Sequence, residues 1–406
     1  MSTNLMQASK EWATRPDDQR FWTLDEMHQH ATKAERESVV ADIPVDDLRF
    51  SRSDDPNWAV ALDLDGTELA SFTQERYGNT FARFTHHGFG QICSLLGAPA
   101  SYLRTLPSET VQDCLTFGAR RAEENGVSDR QLLFHANGSM KVRAATSTRY
   151  ERIWNHEIIS RLVDLEGDGW IVPPARPSSM EATRTRSATA DDVLDFGTES
   201  ALTVKEGDKI SPAGLYASDH DMFAFMIHPE RVIDNGLSPD GMRRGFMVAN
   251  SEVGDKALWG ISFLFDTVCG NHIVWGAEQI HETRIRHIGS DLGERWDAIV
   301  SNISDYSDEA AAAQEGQIRE AQKVRLGKDR DEVIDWLFSK RLVGKKVAAA
   351  AYDTAEKFAD THGDPRTAWG LASGLTRLSQ DTDFANSRVT LDLAAGNILR
   401  EAVGVN

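Results

Sequence analysis

Little in this chain lends itself to covalent staples, membranes or phosphate loops. Cysteine is scarce: Cys93, Cys114 and Cys269 are the only three in 406 residues. They are too few and too scattered for a disulfide framework or a paired-cysteine metal knuckle, so each is expected to be reduced and buried in an apolar run. No stretch approaches the roughly 18–20 apolar residues of a membrane span. The amino terminus, MSTNLMQASKEWATRPDDQR, lacks the basic-then-apolar pattern of a secretory signal. The expectation is a cytoplasmic chain with no membrane partner. Neither GxxxxGK nor GxGxxG is present, so no glycine-rich phosphate cradle is expected.

Positive charge is also short. Lys and Arg total 44 against 63 Asp and Glu, a formal net charge of −19. That weighs against broad, non-specific coating of duplex DNA, which needs many cations to displace counterions. It leaves open a local basic groove, because the field that matters is the field at the site.

What is present is ordinary globular material, 40% apolar and 26% charged, enough for two or three structural units. Residues 1–57 are polar and acidic, with Trp12, Phe21 and Trp22 as isolated anchors, and read as an arm that packs at a few points. Residues 58–290 alternate strand-like and helix-like patterns. Asn137-Gly138 between two apolar runs is a strong hairpin signal, and Gly254-Asp255 suggests a second hairpin. Residues 291–406 are helix-like and rich in Ala. The fold class expected is α+β, with a mixed or mainly antiparallel sheet core, flanking helices and a helical carboxyl-terminal region.

The run VALDLDGTELAS at 60–71 has the look of a phosphohydrolase signature, with Asp63 as nucleophile and Asp65 as general acid. That chemistry needs a buried parallel strand ending at Asp63, and residues 68–72 read instead as a second alternating strand. Asp-Gly between two strands is itself a turn signal, so a surface hairpin turn is expected. A metal-dependent phosphohydrolase remains the competing reading.

Histidines fall in groups: His86-His87, Asp219-His220-Asp221, and His272, His281 and His287. None has a standard ligand spacing, so no metal ligands, no cofactor and no catalytic residues are assigned. Asp219, His220 and Asp221 could hold a divalent ion on a loop, but turn chemistry explains them equally well.

Local basic residues carry the functional expectation. Lys141 and Arg143 lie two apart and share one face of a strand. Arg149, Tyr150 and Arg152 follow at its exit, and Arg243-Arg244 lie in the second β-rich block. Cations on a sheet face with an interleaved aromatic can grip phosphates and stack a base. The expected partner is single-stranded DNA or RNA; a homo-oligomer is compatible with the sequence.

Four stretches in order, KVRAATSTRYERIWNHEI, LYASDHDMFAFMIHPE, ANSEVGDKALWGISFLFDTVCGNHI and TAWGLASGLTRLSQ, resemble the phage/plasmid-like family. That is a domain-of-unknown-function family carried by bacteriophages, plasmids and integrated elements, and the likeness runs from about residue 60 to about 400. It implies a mobile-element origin and carries over no catalytic residues. In that setting the expected role is association with single-stranded nucleic acid in replication or recombination. A third reading is an acidic protein-interaction or anti-host factor.

Overall fold

The computed structural model describes residues 17–404 apart from 53–59, 128, 178–183, 194–203, 213, 238–240, 267–271, 274–281, 288–291, 309–310 and 381–384. The protein is α+β, with two six-stranded sheets and a carboxyl-terminal set of helices.

The first lobe runs through α1 (Leu24–Arg36), β1 (Ser38–Ile43), β2 (Arg49–Arg52), β3 (Val60–Asp63), α2 (Leu69–Tyr77), β4 (Phe81–Phe84), α3 (His86–Leu95), α4 (Ala100–Leu103), α5 (Ser108–Glu124), β5 (Arg130–Asn137), β6 (Ser139–Ser147) and α6 (Asn155–Glu166). Its strands lie in the order β1-β5-β6-β4-β3-β2. The β4–β6 pair is parallel and every other neighbour is antiparallel. One face buries Leu62, Phe84, Phe134 and Val142 against Phe89, Ile92, Val111 and Leu115 of α3 and α5. The β5–β6 hairpin turns where Asn137-Gly138 places it, with Gly138 at φ +67°, but Asn137 pairs with Ser139 rather than sharing a two-residue turn.

The second lobe contains β7 (Arg176–Pro177), β8 (Arg186–Ser187), β9 (Lys209–Ser211), β10 (Leu215–Ala217), β11 (Met222–Ile233), β12 (Met242–Asn250), β13 (Leu258–Asp266), β14 (His272–Ile273), β15 (Glu282–Ile285) and α7 (Leu292–Asp308). Strands β10 to β15 form an antiparallel sheet. Every residue of β12 is buried, because both faces are covered. That explains its unbroken apolar run. Helices α1, α6 and α7 cover one face through Leu24, Met27, Ile158, Leu162 and Ile299.

The remaining helices are α8 (Ala311–Lys323), α9 (Arg330–Ser339), α10 (Lys345–Lys357), α11 (Ala359–His362), α12 (Ala368–Gln380) and α13 (Ala385–Val403). They share a core with Ile233, Met242 and Leu264 of the second sheet. Close approach of α12 to α10 depends on Gly374, where a Cβ would stand 2.5 Å from the Ala355 Cβ and 2.6 Å from the Ala351 carbonyl oxygen. Among the described residues, no helix is long and apolar enough to cross a membrane.

Three sequence expectations need correction. Within residues 1–57, the part from Thr23 to Arg52 is no arm. Thr23 caps α1 by accepting from the Glu26 N–H, Leu24, Met27 and Ala31 are buried, and β1 pairs with β5 along its whole length. Second, the chain after Thr67 becomes helix α2 rather than a strand. The turn itself is as expected, with Gly66 at φ +84°. Third, Cys114 is exposed, because it lies off the buried Val111–Leu115–Ala119 stripe of α5. Cys93 is buried, and that burial pushes its thiol up to about 11; Cys269 lies outside the described residues. A thiol reagent applied to the native protein is therefore expected to modify Cys114 rapidly and Cys93 only on unfolding. Equal rates at the two positions would contradict this packing.

Candidate functional site

The site grows out of an irregularity in β6. Leu133 faces Ala144 and Phe134 faces Val142, so Arg143 is an extra residue with no opposite number on β5. Such a bulge bends the strand and re-aims a side chain. Helix α3 takes up the backbone groups around it. The Thr85 N–H donates to the Val142 carbonyl at 3.0 Å, and the Ala145 N–H donates to Gln91 Oε1 at 2.7 Å. Gly88 allows this approach, since a Cβ there would stand 2.4 Å from the Val142 oxygen.

The re-aimed Arg143 is 4% exposed. Its Nε and Nη2 donate to the Asp219 carbonyl at 3.1 and 2.9 Å, and Nη2 also meets Glu252 Oε2 at 2.9 Å. Its Nη1 is buried and has no hydrogen-bond partner among the described residues. Arg143 forms part of the wall of a cleft of about 400 Å³ that also takes in α1, the β5–β6 hairpin and the turn between β10 and β11.

Lys141 lines the same cleft and is half-buried. It faces His135 across the hairpin, and that histidine carries a buried Nδ1 with no hydrogen-bond partner among the described residues. On the opposite side, Glu37 accepts from Asn137 Nδ2 at 2.9 Å, lies 3.6 Å from His135 Nε2 and 3.9 Å from Lys33 Nζ. Burial lowers the pKa of His135, with the charges of Arg143 and Lys141 acting the same way. Burial also lowers His30, so both rings are neutral near pH 7. The cleft lining thus mixes charges, with Lys33, Lys141 and Arg143 set among Asp18, Glu37 and Asp219.

The Ser218–Asp221 turn beside it holds a serine, a histidine and two aspartates in contact. Ser218 Oγ donates to Asp221 Oδ1 at 2.6 Å and lies 3.1 Å from His220 Nδ1. Asp219 Oδ1 is 2.9 Å from that same ring nitrogen. Asp221 Oδ2 stands 3.7 Å from the opposite ring nitrogen, Nε2, too far for an orienting hydrogen bond, and the serine donates to Asp221 rather than to the ring, so this cluster is turn chemistry. Burial pushes Asp219 up, but hydrogen bonding to His220 and the nearby charges of His220 and Arg143 hold it below the ordinary aspartate range. The His220 ring stacks on His87, with centroids 5.9 Å apart and planes 9° apart.

Of the basic residues singled out in the sequence, only Lys141 and Arg143 come together in the cleft. Arg149 is exposed. The Tyr150 ring is already engaged: His287 stacks on it at 4.9 Å and 6°, and the Arg152 guanidinium lies 5.5 Å from its centroid. Its hydroxyl donates to the Ser251 carbonyl at 2.9 Å. Arg152 donates to the Glu252 carbonyl at 2.7 Å and to Gln131 Oε1 at 3.1 Å. Both residues fasten the β12–β13 loop and offer no platform for a base. Arg243 and Arg244 are buried; Arg244 donates to Gln314 Oε1 of α8 at 3.1 and 2.9 Å, which ties the second sheet to the helices. A single basic strand face through all seven residues is therefore not formed.

His135, Asn137 and Glu37 carry no motif that marks them in the sequence. His135 faces Lys141 because Asn137 pairs with Ser139 across Gly138; counting outward from a two-residue Asn-Gly turn would set Phe134 there instead. Arg143's displacement depends on a bulge, which leaves no local signature.

Asp63 ends a strand whose two neighbours are both antiparallel. Its carboxylate accepts from Ser51 Oγ and from the Asp65 N–H, each at 3.0 Å, so it pins the turn. Asp65 is exposed. No protein-family model, no curated protein and no solved structure matches the chain.

Proposed function

We propose that the cleft binds the phosphate of a nucleotide unit, and that the protein is a single-stranded nucleic-acid binder of phage or plasmid origin. The observation that carries this reading is Arg143 Nη1, a buried cationic donor without a partner among the described residues. Lys141 stands on the same wall of the cleft. Nη1 has no accessible surface, so an anion in the cleft acts on Arg143 through its charge and takes its direct hydrogen bond from Lys141. The cleft volume of about 400 Å³ is that of a small-ligand pocket rather than a long groove. It suits one nucleotide held at a strand end or flipped from a strand. The resemblance to phage/plasmid-like proteins supports the nucleic-acid setting. A phosphohydrolase built on Asp63 and Asp65 has less support, since its first carboxylate is engaged in the turn.

Lys141→Ala tests this reading with the fold intact, because the half-buried side chain lies on the cleft wall and outside the hydrophobic cores. A charge-assisted hydrogen bond is worth about 1.5–3 kcal/mol, so affinity for a short 5′-phosphorylated oligonucleotide is expected to fall roughly 10–100-fold. The log–log salt slope should fall by about 0.7 when this one cation no longer neutralises a phosphate, with the unfolding midpoint unchanged. If wild-type protein binds neither oligonucleotide nor mononucleotide at low salt, the reading is wrong.

A further inference from the structure

Strand β1 forms one edge of the first sheet, and its hydrogen-bond phase can be read directly. The Ala136 N–H donates to the Glu37 carbonyl, in the same register that pairs Ser38 with His135. In an antiparallel ladder the doubly bonded pairs alternate. Glu37, Val39, Ala41 and Ile43 therefore bond inward to β5, while Ser38, Val40 and Asp42 direct their backbone N–H and C=O groups outward. Among the described residues no donor or acceptor meets these outward groups. Val40 is also 43% exposed, a large apolar side chain on an open edge.

Two other edges, β2 and β10, are handled differently. On β2, Arg49 and Arg52 are exposed, Arg52 pairs with Glu109 of α5 at 2.9 Å, and Gln112 donates to the Phe50 carbonyl at 2.7 Å. On β10, the Phe21 N–H donates to the Leu215 carbonyl and Arg20 bridges Tyr216. Charge and covering segments are the usual means of blocking edge-to-edge pairing. Strand β1 has no covering segment among the described residues, and SVVADI contains no lysine, arginine or proline, with Asp42 near one end as its only charge.

We infer that β1 is a homodimer interface, pairing antiparallel with β1 of a second copy about a two-fold axis at Val40. Only this axis joins all the outward groups. Val40 meets Val40, Ser38 meets Asp42 and Asp42 meets Ser38, giving about six interchain backbone bonds and one twelve-stranded sheet. Charge selects the antiparallel sense: Asp42 is the strand's single charge, and an in-register parallel pair would set it against itself. Glu37 lies three residues from the axis, so the two clefts open about 20 Å apart at ~3.3 Å per residue. The strand edge alone carries the dimer, whatever the clefts bind.

Sedimentation and oxidative crosslinking of the full chain test it. The wild type is expected to sediment at twice the chain mass. Val40→Lys places a charge on the axis, and Val40→Pro removes only an outward N–H, a position where an edge strand accepts proline. Both are expected to sediment as folded monomers whose unfolding midpoints, unlike that of the wild type, do not depend on protein concentration. In a Cys114→Ser background, Val40→Cys is expected to form an interchain disulfide under mild oxidant. Facing Cα atoms in such a pair lie near 5.5 Å, within disulfide range. Asp42→Cys, which faces Ser38, is expected not to crosslink. A monomeric wild type, a folded Val40→Lys variant that stays dimeric, or crosslinking through residue 42 but not residue 40 would each overturn the inference.

Discussion

Glu252→Ala is expected to lower stability by about 3–5 kcal/mol, the usual loss when one partner of a buried ion pair is removed. Glu252 lies at the start of the β12–β13 loop and is 2% exposed. One carboxylate oxygen meets Arg143 at 2.9 Å, and the other accepts from the Asn155 N–H at 2.9 Å. Its carbonyl accepts from Arg152. The flanking Ser251 and Val253 carbonyls accept from Tyr150 and Gln91, and Val253 packs with Leu133 and Ala144. The loop belongs to the second lobe and all these partners belong to the first or to the segment leading into α6. Removing the carboxylate therefore strands Arg143 without its counter-charge and loosens the docking of the lobes. Glu252→Gln keeps the shape and part of the hydrogen bonding, so it is expected to lose less. Urea unfolding of the three proteins gives the comparison. A loss under about 1 kcal/mol for the alanine variant would be in the range of an exposed ion pair and would mean that the loop does not join the lobes.

The same latch explains what is and is not legible in the sequence. Strand and helix patterns are readable wherever burial is one-sided. The Asn137-Gly138 hairpin, the helical stripe through Ile158, Ile159 and Leu162, and the carboxyl-terminal helices follow directly from period and turn chemistry. Helix α1 also leaves a signature, though a faint one: Thr23 and Glu26 are a capping pair, and Leu24, Met27 and Ala31 hold helical spacing behind a polar exterior. The segment after Asp65-Gly66 misleads because Glu68-Leu69-Ala70-Ser71-Phe72 alternates over a span too short to separate a strand from a weakly amphipathic surface helix. The basic residues mislead for a different reason. Arg143, Arg152 and Arg244 are spaced as a solvated face would be, yet each is drawn inward by an acceptor from a distant part of the chain: Glu252, Gln131 and Gln314. Long-range partners of that kind cannot be read from local spacing. The cleft is built from α1, the hairpin and the Ser218–Asp221 turn, so its existence depends on how the lobes dock.

Acid should loosen this junction well before carboxylates begin to protonate. Burial, aided by the Arg104 charge, pushes His86 down to about 4. Burial likewise lowers His87, His135 and His30. The groups facing His86 are of mixed sign: Arg104, His220 and His87 oppose its protonation and Asp219 favours it. For each ring the folded value lies below the unfolded one of about 6.5. Below pH 6.5 the unfolded chain therefore takes up protons that the folded chain refuses, and stability falls with falling pH. The loss begins near pH 6.5 and continues to about pH 4, where His86 also titrates in the folded protein. Above pH 6.5 these rings contribute no slope. His86 is only half-buried, so after allowance for solvent screening its share is roughly 1–2 kcal/mol, to which the other three rings add in the same direction. Below about pH 4, protonation of Asp219, which the fold holds below its ordinary range, continues the decline. Thermal midpoints measured between pH 7.5 and 4.5 are thus expected to fall steadily below pH 6.5, and His86→Gln is expected to flatten part of that slope. A phosphate anion bound at Lys141 and Arg143 acts the other way on His135, since it favours the protonated ring. Ligand-bound protein should accordingly lose less stability in acid than free protein, and its affinity should rise as pH falls toward 5.5. Equal acid sensitivity with and without a bound nucleotide would separate the histidines from the ligand and leave His135 as a packing residue only.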